Sequence, residues 1–341
     1  MRAMVVRRHG DVSALELRQL AEPPAAPGQI LVSVKAAGVN FADVLARLGL
    51  YKAAPKPPFI PGLEVAGVVE KAGEGVTAYK AGDRVMAFCP FGGYAEKVAV
   101  SESYAMRIPA GVTFSEAAAF PVQYLTAYHA LFQLAHARKT DTVLVHAAAG
   151  GVGIASLQLL RITGSAVFAT VGSDSKATVV KEENPAARTI VYTREDFSKV
   201  IREETGGHGI DVVLDSVGGE TFRKSWNLLR PYGRYVLLGA ASAVRPGAIS
   251  KLGALWRIRS MLLVSPLTMI DKNRTLSAFN LFHLADRQDL LREAAEELLS
   301  LYSAGSIKPR VGLALPLEKA AEAHRRLQER ATVGKVVLTL S

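Results

Sequence analysis

Through residues 1–120 the apolar positions fall in short runs without a helical period, each broken by Gly or Pro. β-prone runs occur at Met4–Arg7, Ile30–Ala36, Glu64–Lys71, Arg84–Phe88 and Tyr94–Val100. Turn signals separate them at Ala26-Pro27-Gly28, Pro61-Gly62, Ala81-Gly82-Asp83 and Gly92-Gly93. That alternation predicts an irregular β domain. Ser115 is the predicted cap of a small-residue helix over Glu116–Phe120, and Tyr124–Leu134 reads as a further helix. From residue 143 strands alternate with helices. Strands are predicted at Val143–His146, Ala166–Thr170, Thr189–Tyr192, Val212–Asp215, Tyr235–Leu238 and Met261–Val264, as a doubly wound parallel sheet requires. Residues 268–288 read as a helical insertion, Leu290–Ala304 and Glu318–Glu329 as amphipathic helices, and Lys335–Leu340 as a last strand.

Bulk properties narrow this picture. The 341 residues leave room for about two domains of ~100–200 residues each. A hydrophobic content of 49% with 21% charged residues describes an ordinary globule with a sizeable core. The single cysteine, Cys89, excludes an intrachain disulfide and a Cys-rich zinc site, and fits a reducing, cytoplasmic setting. No signal peptide is visible, and no stretch approaches the ~18 apolar residues of a membrane span.

The net charge of +10 is unevenly placed. Residues 221–270 hold no Asp or Glu but carry Arg223, Lys224, Arg230, Arg234, Arg245, Lys251, Arg257 and Arg259. Such a block attracts an anionic cofactor or an anionic membrane surface, or is a solvated basic face. Nucleic acid is excluded as a partner, because no reading module accompanies the charge.

Candidate chemistry concentrates at Val143-Leu144-Val145-His146-Ala147-Ala148-Ala149-Gly150-Gly151-Val152-Gly153. A strand that turns on glycines into a helix gathers backbone N–H groups and the positive dipole end at one point, which suits a phosphate. Ala148 stands where the dinucleotide fingerprint has its first glycine, so the match is Ala-x-Gly-x-x-Gly. The second strand then ends in Val171-Gly172-Ser173-Asp174-Ser175-Lys176. An NAD site has Asp or Glu at that strand end for the ribose 2′-hydroxyl. A hydroxyl and a cation stand here instead, which argues for a 2′-phosphate and hence NADP. Val191-Tyr192-Thr193-Arg194 adds a second donor pair, with Arg194 readable equally as a surface charge.

With this fingerprint behind a Gly/Pro-rich β domain, the chain resembles the medium-chain dehydrogenase/reductases nearly end to end, and most sharply their zinc-free quinone oxidoreductase branch. Gly38-Val39-Asn40-Phe41-Ala42-Asp43 followed by Arg47-Leu48-Gly49-Leu50-Tyr51 is similar to that branch's signature. So are Leu125-Thr126-Ala127-Tyr128 and the glycine motif with Gln158 and Arg161. Asn227–Gly233, Ile307-Lys308-Pro309 and Val333-Gly334-Lys335-Val336 resemble the vesicle amine transport protein 1-like members.

The resemblance implies a GroES-like catalytic domain over 1–121 and 268–341 and a Rossmann domain with a six-stranded parallel sheet over 122–267. It implies NADPH held by Thr126, Ala149, Gly150, Gly151, Val152, Gly153, Gly172, Ser173, Lys176, Tyr192, Leu238, Gly239, Val264 and Lys335, with Leu263 beside Val264. The nicotinamide is expected at the carboxyl ends of the strands, in the cleft between the domains. Asn40 and Tyr51 are the implied catalytic residues, and a homodimer the implied assembly.

Catalytic zinc needs about three Cys, His or carboxylate ligands. Between Gly10 and Tyr128 there is no histidine and only Cys89. Where zinc-dependent relatives have Gly-His-Glu, this chain has Gly62-Leu63-Glu64, and Asn40 stands at a Cys ligand position. Metal is therefore not expected, and Glu64 is left with a buried structural hydrogen bond. The expected activity is NADPH-dependent, zinc-independent reduction of a quinone or α,β-unsaturated carbonyl, mainly by positioning. The rival is a cofactor-bound adaptor that binds anionic lipid surfaces through the basic block.

Overall fold

The computed structural model describes residues 1–244, 259, 261 and 264–340. The chain forms two compact units, one of Met1–Leu125 with Leu281–Ser341 and one of Thr126–Asn280. These limits differ from the predicted boundaries at 121/122 and 267/268, because the second unit's sheet runs further along the chain than its apolar strands suggest.

That sheet has six strands. Across it they run Arg188–Val191, Ala166–Val171, Thr142–Val145, Ile210–Asp215, Leu229–Leu237 and Thr275–Ala278, all parallel. Counted along the chain this is the order 3-2-1-4-5-6 of a doubly wound fold. The central Ile210–Asp215 strand is buried at every position, as expected of a parallel strand covered on both faces.

The sixth strand is a correction. It lies at Thr275–Ala278, inside the segment read as a helical insertion, and of the expected strand Met261–Val264 the two described residues, Met261 and Val264, are not in a strand. Met261 and Val264 instead pack against the core beneath the sheet, and Leu262 and Leu263 lie outside the described residues. Thr-Leu-Ser-Ala is short and half polar, as an edge strand should be, so a search for apolar runs passes over it. The helical remnants of the supposed insertion are Pro266–Lys272 and a 3₁₀ turn at Leu281–Leu284.

The first unit is built on a seven-stranded sheet. Its order is Val311–Pro316, Lys335–Thr339, Gln29–Val39, Glu64–Ala72, Arg84–Phe88 and Ala105–Arg107, with Lys97–Ser101 also paired to Gln29–Val39. The C-terminal strand runs antiparallel to Gln29–Val39, with Val337 opposite Gly38. Between the faces lies a core of Val32, Val65, Val85, Val98, Val336 and Leu338. Thr113, and not Ser115, caps the short helix Phe114–Ala117; its hydroxyl accepts from Glu116 N–H, and Glu116 returns a carboxylate to Thr113 N–H. The next helix begins at Pro121, where the missing N–H costs nothing, and runs to Tyr128 before continuing as a π-helix over His129–Leu134.

Gly38 is among the glycines that space requires in this unit. A Cβ at Gly38 would lie 2.5 Å from both Ala118 O and Glu64 Oε1. Gly28, by contrast, meets nothing within 4 Å, although its φ of +72° favours glycine. Gly38→Ala is therefore expected to cost about 3 kcal/mol, the range of an overpacked interior, and Gly28→Ala about 1 kcal/mol for the left-handed backbone alone. Urea midpoints of the two variants check this, and equal losses would refute the crowding argument.

Candidate active site

In the second unit, strand Thr142–Val145 passes through His146 and Ala147 into helix Gly151–Thr163, capped by Gly150 and ended by Gly164 at φ +77°. His146 braces this turn from below: Nδ1 meets Thr170 Oγ1 at 2.8 Å and Nε2 meets Ser225 Oγ at 2.7 Å. Burial lowers its pKa. The left-handed residue of the turn is Ala147, with φ +50°, and none of Gly150, Gly151 and Gly153 has a positive φ. Gly153 is needed for closeness instead, since a Cβ there would stand 2.6 Å from Ala147 O and Ala148 Cα. The helix is thereby drawn tightly onto the loop. The first helical bond runs from Ile154 N–H to Gly150 O. The N–H groups of Gly151, Val152 and Gly153 therefore have no carbonyl within the helix.

The adjacent strand Ala166–Val171 ends at Gly172. Ser173 caps helix Asp174–Glu183 by accepting from Lys176 N–H at 3.4 Å. A Cβ at Gly172 would lie 2.7 Å from Tyr192 Oη, so that phenol leans over the strand end and stays 44% exposed. Ser173, Lys176 and Tyr192 thus share one corner. The acid at that corner, Asp174, is matched by Arg194 at 2.5 Å. Leu238 and Gly239 follow strand Leu229–Leu237, where Leu238 N–H donates to Asp215 O at 2.7 Å. Ala149 is buried in the turn, whereas Thr126 and Val264 are half-buried.

In the first unit, Asn40 precedes helix Phe41–Arg47. Its Nδ2 donates to Glu64 Oε1 at 2.9 Å, and its Oδ1 accepts from Lys335 Nζ at 2.6 Å. Lys335 also pairs directly with Glu64. The lysine expected among the cofactor contacts is therefore 3% exposed, with its ammonium engaged inside the first unit. Glu64 is fully buried, and its second oxygen accepts from Val122 N–H at 2.8 Å. Tyr51 joins an aromatic cluster, 6.4 Å from Phe91 and 6.3 Å from Phe282, both edge to face.

Sequence reasoning missed a buried polar chain behind Asn40. Asp43 accepts from Asn40 N–H at 2.8 Å, Gly62 N–H at 3.1 Å and Tyr94 Oη at 3.2 Å. Tyr94 Oη also meets His324 Nε2 at 3.2 Å, and Arg47 Nε donates to His324 Nδ1 at 3.3 Å. Arginine only donates, so neutral His324 carries its proton on Nε2 and gives it to Tyr94. Burial pushes Asp43 up to about 7, against the pull of its N–H donors and of Lys335. Burial, with the Arg47 charge beside it, pushes His324 down to about 3. One signal was available: His324 occupies the apolar stripe of its helix together with Ala320, Ala323 and Leu327.

Among the described residues no group of three or more His, Cys, Asp and Glu is placed to hold a metal ion, and no helix is long and apolar enough to cross a membrane. Within the basic block, Arg223 pairs with Glu220, Lys224 with Asp196 at 2.7 Å, Arg230 with Asp211 at 2.5 Å and Arg234 with Asp141 at 2.8 Å. Arg245, Lys251 and Arg257 lie outside the described residues, as do the apolar residues Leu252, Leu255, Trp256 and Ile258 of the same block.

A nucleotide-type glycine turn in one unit and a GroES-like sheet in the other define a class. Residues 26–110 match the alcohol dehydrogenase GroES-like domain and residues 184–338 the zinc-binding dehydrogenase family. The chain belongs to the medium-chain dehydrogenase/reductase superfamily of oxidoreductases. It is 39% identical over 341 residues to a synaptic vesicle membrane protein VAT-1 homolog of Rattus norvegicus, covering 99% of this chain and 84% of that protein. It is 33% identical to a quinone oxidoreductase of Lama guanicoe, covering 100% and 98%. Among solved structures, Escherichia coli quinone oxidoreductase complexed with NADPH superposes with a TM-score of 0.87 at 32% identity, covering all of both chains.

The pKa shifts set an acid limit. His324 stays neutral in the fold but takes a proton near 6.5 when unfolded, so its contribution is complete above 6.5 and is lost as pH falls toward 3. Asp43 acts oppositely, losing stability as pH rises from 3.8 toward 7. His324→Gln is expected to lower stability at pH 7 yet to flatten the loss between pH 6.5 and 4 by about 1.4 kcal/mol per pH unit. Urea unfolding of both proteins at several pH values measures this, and parallel curves would show that His324 does not titrate on unfolding.

Proposed function

We propose that this chain uses NADPH to reduce a quinone or an α,β-unsaturated carbonyl, without a metal. The observation that carries the reading is the corner at Ser173, Lys176 and Tyr192, where the strand ends without a carboxylate for a ribose 2′-hydroxyl and Arg194 pairs with Asp174. The NADPH complex of the E. coli neighbour supports it, and so does the fit of the glycine turn. A Cβ at Gly153 would fill the space in which helix and loop meet, and the N–H groups beside it, which have no carbonyl within the helix, suit a pyrophosphate.

In this reading Ala149, Gly150, Gly151, Val152 and Gly153 hold the pyrophosphate. Gly172, Ser173, Lys176 and Tyr192 hold the 2′-phosphate. Thr126, Leu238, Gly239 and Val264 border the nicotinamide riboside. Bound NADPH supplies the hydride. Asn40 offers an amide N–H, and Tyr51 a phenol, to the oxygen that becomes negative as the acceptor is reduced. Asparagine cannot take up a proton, so its part is to bind and orient; a phenol can also donate one. Zinc independence is supported by Leu63 and Asn40, which offer no imidazole or thiolate where a ligand set would need them.

We also infer a homodimer through the outer edge of strand Thr275–Ala278, which pairs with no further strand among the described residues; in the preceding helix, Pro266–Lys272, Leu267 and Ile270 are 77% and 73% exposed. Sedimentation equilibrium should give twice the chain mass; a monomer at micromolar concentration would reject it.

Stopped-flow oxidation of NADPH with 1,4-naphthoquinone and with a 2-alkenal tests the reductase reading. Turnover with at least one is expected, and tight NADPH binding without turnover by either would favour the adaptor. In the same assay Lys176→Ala should weaken NADPH at least tenfold more than NADH, and equal losses would place the 2′-phosphate elsewhere.

A further inference from the structure

Asn40 is held at both ends by buried charges. Lys335 and Glu64 are 3% and 0% exposed, whereas Asn40 is only half-buried. Lys335 Nζ donates to Asn40 Oδ1 at 2.6 Å, and Asn40 Nδ2 donates to Glu64 Oε1 at 2.9 Å. The amide cannot be reversed. Turned over, its oxygen would face a carboxylate and its NH₂ an ammonium, and neither contact can be a hydrogen bond. The two charges also act in the same sense. An ammonium at the oxygen and a carboxylate at the nitrogen both draw the amide toward its charge-separated form, so its N–H bonds become stronger donors. Nδ2 carries two hydrogens. One is spent on Glu64, and the second meets no acceptor among the described residues.

We propose that Lys335 and Glu64 are positioning residues that lock and polarise the Asn40 carboxamide, so that its second N–H is presented to the carbonyl oxygen of the acceptor. This rests on the reductase reading above. It reassigns Lys335 from a cofactor contact to a residue acting through Asn40. The ammonium gives the site a fixed positive end without a metal: its charge is relayed through one amide to the place where an oxygen gains electron density.

The rival is that the pair only holds the fold together. Removing one partner leaves a buried charge unpaired and is strongly destabilising, so single variants cannot decide. The double variant Glu64→Gln/Lys335→Met removes both members of the pair at once, so neither is left without the other. For it we expect NADPH dissociation constants within threefold of wild type by fluorescence titration. With 1,4-naphthoquinone, kcat should fall 10- to 100-fold at a KM changed less than threefold. A tenfold loss of NADPH affinity with kcat intact would return Lys335 to the cofactor and overturn the proposal. Unchanged kcat would overturn it as well, leaving a structural pair.

A second readout does not need turnover. The side-chain amide of Asn40, assigned by its loss in Asn40→Ser, should give two widely separated proton signals in ¹⁵N-correlated spectra of the wild type. In the double variant those signals should converge. If wild type reduces no acceptor, the reductase reading fails by itself, and the positioning inference is then decided by these signals; unchanged signals overturn it in either case.

Discussion

A carboxylate removed from water must find donors and cations or lose its charge, and this need organises the first unit. Glu64 satisfies it with groups from three places: the ammonium of Lys335 on the last strand, the amide of Asn40 at a helix start, and the N–H of Val122 at the head of the helix carrying Thr126. A side chain at position 38 would crowd these approaches, because the strand there runs against the same carboxylate and against Ala118 O. The glycine makes room, the carboxylate collects the segments, and the lysine balances it.

Behind this point the polarity continues inward. Asp43, Tyr94, His324 and Arg47 form one line of hydrogen bonds in which each donor has a definite acceptor. Arg47 ends it on Gly10 O at 2.6 Å and Gln328 Oε1 at 2.5 Å. A fully satisfied buried network rigidifies what it touches. Here it touches the start of helix Phe41–Arg47 and the Gly62 turn, the two segments that flank Asn40 and Glu64.

The second unit was the more legible in sequence. Apolar strands such as Val143-Leu144-Val145 and the glycines after them are local signals, and each marks its element without reference to the rest of the chain. Thr275–Ala278 escaped because an edge strand needs little apolar surface, and its partner, Leu229–Leu237, lies far back in the chain. In the glycine turn the sequence match was right in kind but not in detail. The strained backbone falls on Ala147, while Gly153 serves helix packing. The Asn40 site was half legible. Asn40 and Tyr51 stand in a motif, but the partners of Asn40 are set by strand pairing across nearly the whole chain, and no local pattern records that. His324 was the exception, since a polar residue in an apolar helical stripe needs a buried partner.

The pairing of the last strand with Gln29–Val39 also bears on how the chain is made. The unit that contains Gln29–Val39 is closed by residues synthesised after the whole of the middle unit, whereas Thr126–Asn280 is continuous. On the ribosome the middle unit can fold as soon as it emerges, but the first must wait, with Glu64 facing no ammonium and the core edge of Gln29–Val39 open. The long sequence separation that joins Lys335 to Asn40 thus favours one order of assembly: the nucleotide-type unit first, and the unit built on Gln29–Val39 after it.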